Sequence, residues 1–382
     1  MIHPIKYFAI NWIDGMKISQ KHFDAQENFI IDTSRDISSL ALNNFNYGLL
    51  PLDKKHKDEK MFKVYNTATN DVQLFIKSCD AVTAAGYRIS LSDYHTSVKS
   101  LAGTINTDKQ SADAAYYILI AVNPFDKVAF GDLDPEEIPP RQPNTLSKYH
   151  IELIQASGID EKHTAGNYLI IGKVTLEKDN SFKVDENFIP PCTSIQSDSR
   201  LKRYYDEFAT TMGNLQQYAF KIIQKTSTIQ QDAAFAQNVK SLCTTLINHF
   251  ANTYFQYRNI ISEQAPVHMI DIFARQALHL YNTTQSIPPN ELEEMLNYTY
   301  EWSEVAPRTL LSQLSTVAEI NYNHNNCGSH LLDIQNLLNS LKLILGKLSE
   351  LDYIGQRKES IVVNEKDITP TAKIKQGWSV LD

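Results

Sequence analysis

The densest group of metal-ligating side chains is His324-Asn325-Asn326-Cys327-Gly328-Ser329-His330. Imidazole and thiolate suit zinc, and the i, i+3, i+6 spacing lets them converge in a turn. A tetrahedral site needs a fourth ligand, and the neighbouring sequence supplies none. Asn-Asn followed by Gly-Ser is also how a helix begins. The expectation is a helix start without metal, with His324, Cys327 and His330 as weak candidates only. Asp132-Leu133-Asp134-Pro135-Glu136-Glu137 gathers carboxylates as a calcium loop does. It lacks the turn glycine and the twelfth-position glutamate, so it reads as a solvated loop. Glu293-Glu294 are ordinary helix-surface residues. His268 and His279 lie on apolar-periodic helices and read as core-edge histidines. There is no G-x-S-x-G, and no Cys/His pair has supporting context. No catalytic residue and no cofactor is therefore expected, and the chain reads as non-enzymatic.

Composition narrows the function further. The 382 residues exceed one ordinary core, so two or three domains are expected. The formal net charge of −8 repels a phosphate backbone, which argues against nucleic acid as a partner. The closest approach to a basic run, Lys54-Lys55-His56-Lys57, is followed at once by Asp58 and Glu59 and reads as a solvated loop. The 13 glycines form no G-x-G-x-x-G or G-x-x-x-x-G-K-[ST] pattern, so nothing cradles a phosphate. Cys79, Cys192, Cys243 and Cys327 are far apart and form no C-x-x-C. With no signal peptide in Met1 to Tyr7, this suggests free thiols in a reducing cytoplasm. No run of 18 apolar residues exists, so no direct membrane insertion is expected.

The elements that would position any site change character at Pro190-Pro191. Before it, Phe62–Tyr65, Val72–Ile76, Tyr116–Val122, Tyr149–Ile154 and Tyr168–Val174 are strand-length runs bounded by turn residues. Tyr116–Val122 is apolar almost throughout, fit for a strand buried on both faces. One helix is expected over Lys21–Leu42, and Gly131–Pro143 reads as a long acidic, proline-rich loop. After Pro191 the periodicity is helical. Leu201, Tyr205, Phe208, Met212, Leu215, Ala219 and Ile222 recur in steps of four and three, a heptad seam. Leu331, Ile334, Leu338, Leu341, Leu345 and Leu348 repeat it. Val267–Tyr281, opened by Pro266, Val239–Ile261, Glu291–Trp302 and Thr309–Ile320 also read as helices. The expected fold is α+β and multidomain: an antiparallel β-sandwich or barrel over 1–193, then an α-helical bundle over 194–351. A tail follows over 352–382.

The two seams serve either packing inside one chain or self-association. For Leu201, Tyr205, Phe208, Met212 and Leu215 both uses stay open. In the polar tail, Trp378 and Leu381 are apolar residues of the kind that dock in a groove or on a sheet edge.

Trp12-Ile13-Asp14-Gly15-Met16, followed by His22-Phe23 and Gln26, is similar to the N-terminal signature of the TssK family of type VI secretion baseplate subunits. Asn167–Val174 leading to Phe188-Ile189-Pro190-Pro191 is similar to its strand pair and boundary. Pro266–Tyr281 resembles its mid-chain helix, and Tyr322-Asn323-His324 its Tyr-x-His element. Coverage is roughly Ile10–Leu351.

This resemblance implies a phage-like β shell domain, a helical neck and a homotrimer. It also implies a cytoplasmic baseplate docked at the inner membrane, where the trimer links wedge proteins similar to TssF and TssG to a membrane-complex protein. Trp12, Met16, His22 and Phe23 would then face the wedge, although the same residues also suit core packing. Family members continue into a globular head where this chain has about 30 residues. That points to a head-less member, as in the Bacteroidetes subtype, with the tail as docking element. The alternative function is a phage-like receptor- or glycan-binding tail protein.

Overall fold

Strands form where β-branched and aromatic residues alternate between a buried and an open face. The computed structural model describes residues 4–51, 61–66, 72–98, 114–160, 166–177, 181–228, 233–352 and 354. Among these, eight strands lie between residues 48 and 184, and six of seven helices follow residue 198. The α+β architecture expected from the sequence is what the chain adopts.

In the first sheet β3 (Val72–Val82) is central. It pairs with β1 (Gly48–Leu49) and β2 (Phe62–Asn66), and on its other side with β4 (Arg88–Val98). The second sheet has the order β6 (Asn144–Gln155), β5 (Ala115–Phe130), β7 (Tyr168–Leu176), β8 (Phe182–Val184). Every strand pair is antiparallel. The sheets approach edge to edge at β4 and β6, where the Ser90 amide donates to the Tyr149 hydroxyl at 3.2 Å. They approach again at β2 and β8, and there Gly172 admits the Phe62 ring: a Cβ would fall within 2.7 Å of two ring carbons. The result is a sandwich closed like a barrel. Ile76, Ile89, Ile118, Ile120, Leu169 and Ile171 fill it. Leu119 and Ile170 bury the opposite face of their sheet against Phe188, so Tyr116–Val122 is covered on both sides.

Two features escaped the sequence reading. β4 alternates over Ile89-Ser90-Leu91-Ser92, but Asp93 has φ 46° and breaks the pattern. β5 does not stop at Val122. It bulges at Asn123–Lys127, where Pro124 has no amide to pair, and resumes to Phe130. The loop over Gly131–Pro143 then caps a long β5–β6 hairpin.

The helices are α1 (Gln20–Leu40), α2 (Ser199–Thr228), α3 (Ala233–Asn259), α4 (Pro266–Gln285), α5 (Pro289–Ser303), α6 (Pro307–Ala318) and α7 (Cys327–Glu350). Prolines open α4, α5 and α6, where the missing amide costs nothing. None of the described helices is long and apolar enough to cross a membrane.

The two heptad seams lie on parallel neighbours, α2 and α7. Gln335 donates to Glu207 at 3.0 Å, and Lys225 to the Ser349 carbonyl at 2.7 Å. Leu201, Phe208, Met212 and Leu215 are buried within the single chain, as are Leu331, Leu338 and Leu345. Tyr205 stacks on Tyr257 with rings 4.8 Å apart, and its hydroxyl donates to the Tyr257 carbonyl. Of the two uses left open, intrachain packing is therefore the one these side chains serve. Any self-association would use surface outside these buried side chains. Leu215→Ala should accordingly lower unfolding stability by about 2–5 kcal/mol, the cost of a core cavity. Urea unfolding and sedimentation check this: the native mass should not change, and loss of assembly at unchanged stability would contradict it.

Candidate functional site: an apolar platform at the N-terminus

Helix α1 is inside out. A surface helix normally buries apolar residues and exposes polar ones. Here the fully buried residues are Asp32, Arg35 and Ser39, while Phe23, Ile30, Ile37 and Leu40 are exposed. Phe23, Ile30 and Ile37 recur every seven residues, which lines them up along one face. The helix starts at Ser19, whose amide donates to His22 Nδ1 at 3.1 Å. Its buried side rests on the β3–β4 turn. Gly86, at φ 89°, leaves no room there for a Cβ, which would fall 2.8 Å from the Arg35 carbonyl oxygen.

An N-terminal arm lies beside α1. The Lys6 and Tyr7 amides donate to Asp32 Oδ2 at 2.5 and 3.0 Å, and Arg35 Nη2 donates to the Pro4 carbonyl at 3.2 Å. Arg35 also grips Asp32 Oδ1 at 2.7 Å. Burial alone would raise the Asp32 carboxyl. The two amides and Arg35 outweigh it and hold the group below its ordinary value. The β5–β6 hairpin joins through the Lys127–Glu27 ion pair at 2.6 Å and the Tyr7–Phe125 ring contact at 4.5 Å. Arm, helix and hairpin thus form one surface. It exposes Phe8 (76%), Trp12 (49%), Ile13 (65%) and Phe23 (63%).

Of the four residues singled out here from the sequence, Trp12 and Phe23 are exposed, while Met16 and His22 are half-buried. The Trp12 and His22 rings lie 6.0 Å apart. Sequence reading missed Phe8, Ile30 and Ile37, although the seven-residue spacing through Phe23 was available. Trp378 and Leu381 lie outside the described residues, as does Lys54–Glu59.

Of the candidate zinc residues, His324 joins the β half to the helices. His324 is buried. Its Nε2 donates to the Tyr47 carbonyl at 2.8 Å, and its Nδ1 accepts from the Tyr322 hydroxyl at 2.7 Å. The Tyr47 hydroxyl donates to Asn325 Oδ1 at 3.1 Å. Both ring nitrogens are therefore engaged within the chain. His330 Nε2 accepts from the Asn323 amide. Burial pushes the Cys327 thiol up to about 12, so it stays protonated. Among the described residues no three His, Cys, Asp or Glu side chains converge as a metal site.

Burial pushes His324 down to about 4. Its ordinary value is 6.5, so between these limits the unfolded chain binds the extra proton. Stability on this account is full above pH 6.5, falls as pH drops toward about 4, and loses on the order of 3 kcal/mol. The difference in urea midpoint between pH 7 and pH 4.5 should shrink in His324→Gln; an equal difference in both proteins would refute the assignment.

A cleft of about 660 Å³ opens between β2, β8 and the start of α2. Three of its carboxylates are paired: Asp80 with Arg88, Asp185 with Lys173, and Asp198 with Arg200.

Residues 141–292 match the family model described as bacterial type VI secretion, VC_A0110, EvfL, ImpJ and VasE. The stretch runs from just before β6 into α5, and so spans the boundary between strands and helices. Over these residues the chain is similar to proteins of bacterial type VI secretion, a TssK-related family, and the resemblance seen in the sequence is borne out. Solved structures are similar at low identity. A crystal structure of TssK is 15% identical with a TM-score of 0.49, covering 87% of this chain and 69% of that one. TssK of EAEC bound to a nanobody is 11% identical with a TM-score of 0.44, covering 86% and 99%. A TssK-TssF-TssG baseplate subcomplex seen by cryo-electron microscopy contains a chain 12% identical, with a TM-score of 0.42 and coverage of 91% and 100%. No curated protein matches the chain.

Proposed function

We propose that this chain is a non-catalytic baseplate adaptor of a type VI secretion machine. It assembles as a homotrimer in the cytoplasm and joins wedge proteins similar to TssF and TssG to a membrane-complex protein at the inner membrane. The observation that carries the reading is the reversed polarity of α1, with the exposed arm beside it. Contiguous exposed apolar surface is unfavourable in water and marks a protein interface. Its place on the chain agrees with the wedge-facing role that the family resemblance implies for Trp12 and Phe23. A trimer would present three such platforms, and tethering would raise their effective concentration. Self-association would use exposed apolar residues outside the α2–α7 seam, such as Tyr254 and Phe255 on α3.

The test is affinity purification of the full chain at native expression, with light scattering on the product. A mass of three copies, accompanied by the TssF and TssG homologues of the same organism, is expected. A monomer at micromolar concentration without any baseplate protein would overturn the proposal.

A further inference from the structure

We infer that the buried Asp32–Arg35 pair is a positioning device for the docking surface, holding residues 4–7 of the arm in their binding conformation before a partner arrives. This rests on the docking role proposed above and adds the residues that prepare it.

A buried ion pair is weak as a source of stability, since apolar residues of similar volume commonly do as well. Asp32 and Arg35 are nonetheless almost wholly buried, on a helix that leaves Phe23, Ile30, Ile37 and Leu40 exposed. Their remaining hydrogen-bonding capacity explains the arrangement. Asp32 Oδ2 takes two successive arm amides, and Arg35 takes the Pro4 carbonyl. All three bonds hold arm backbone, so the Ile5 and Phe8 side chains stay free and exposed. Residues 4–13 have no helix or strand pairing of their own. The contacts that Asp32 and Arg35 make therefore fix the arm's path at residues 4–7, together with the Tyr7–Phe125 ring contact, and the Trp12–His22 ring contact follows further along. An arm held this way has lost its conformational freedom during folding, so a partner need not order it on binding. The partner that fits is a protein surface with apolar pockets, because the arm offers Ile5, Phe8, Trp12 and Ile13.

The test uses the full chain and Asp32→Asn. Hydrogen exchange should quicken about tenfold or more at the Lys6 and Tyr7 amides of the arm and stay unchanged over α2–α7. Binding to the TssF–TssG homologues should weaken about tenfold, with saturating partner restoring slow exchange in the arm. Phe8→Ala is the comparison: weaker binding with arm exchange unchanged. If Asp32→Asn does not fold, Asp32→Leu/Arg35→Met replaces the pair with apolar volume and should free the arm in the same way. Unchanged exchange at the Lys6 and Tyr7 amides, or a freed arm that binds equally well, overturns the inference. A wild-type chain that binds neither homologue instead removes the docking role on which it rests.

Discussion

Gly48→Ala should be among the most damaging single changes in this chain, with a loss of about 4 kcal/mol or more. Gly48 has φ 115°, a conformation that L side chains rarely adopt. A Cβ there would fall 2.1 Å from the Pro191 carbonyl oxygen and 2.7 Å from the Cys192 amide nitrogen. Those atoms are backbone and cannot turn aside as a side chain would. They are also tied in place, with the Leu49 amide donating to Pro191 at 2.8 Å and the Thr193 amide donating to Leu49 at 2.9 Å. Tyr47, one residue earlier, carries the carbonyl that His324 binds. The substitution therefore strains the point where the strands meet the helices. Gly213→Ala is the contrast: in α2 its Cβ would meet nothing within 4 Å, and better helix propensity should add about 0.5–1 kcal/mol. Urea unfolding of both variants measures the difference. A Gly48→Ala midpoint equal to that of the wild type would contradict the geometry.

Trp12→Ala/Phe23→Ala should weaken binding to TssF–TssG homologues about 100-fold or more while leaving thermal stability almost unchanged. Large aromatics at the centre of an interface carry much of its energy. Trp12 is about half exposed and Phe23 more so in the isolated chain, so removing them forfeits far less packing than a core truncation would. That separates the result from misfolding. Interferometry on the purified partners, together with a melting curve, gives both numbers. A melting point lowered by many degrees would place the residues in the core instead.

The legible parts of the fold are those where side-chain period and burial agree. The seams on α2 and α7 stood out because apolar residues at steps of three and four face one neighbour. What periodicity cannot say is whether that neighbour is in the same chain, and here it is. β4 was hidden by a left-handed Asp93, and the far half of β5 by Pro124. The platform was half legible. Trp12 and Phe23 emerged from the resemblance. The inverted face of α1 did not, because an apolar stripe reads the same in sequence whether it faces a core or a partner. Only the burial of Asp32 and Arg35 on the other side settles its direction. His324, Cys327 and His330 have the residue types of a metal site, but the Tyr47 carbonyl and Tyr322 hydroxyl engage both nitrogens of His324. Tyr47 is 277 residues away along the chain, a distance that no local spacing reveals.

The most direct measurement is cross-linking mass spectrometry on the assembly isolated from cells. Lys6, Lys17 and Lys21 lie exposed on or beside the platform. They should cross-link to the wedge proteins and become unreactive toward solvent reagents once the assembly forms. Cross-links to baseplate proteins that avoid these three lysines while they keep full reactivity would show that the apolar platform is not where this chain docks.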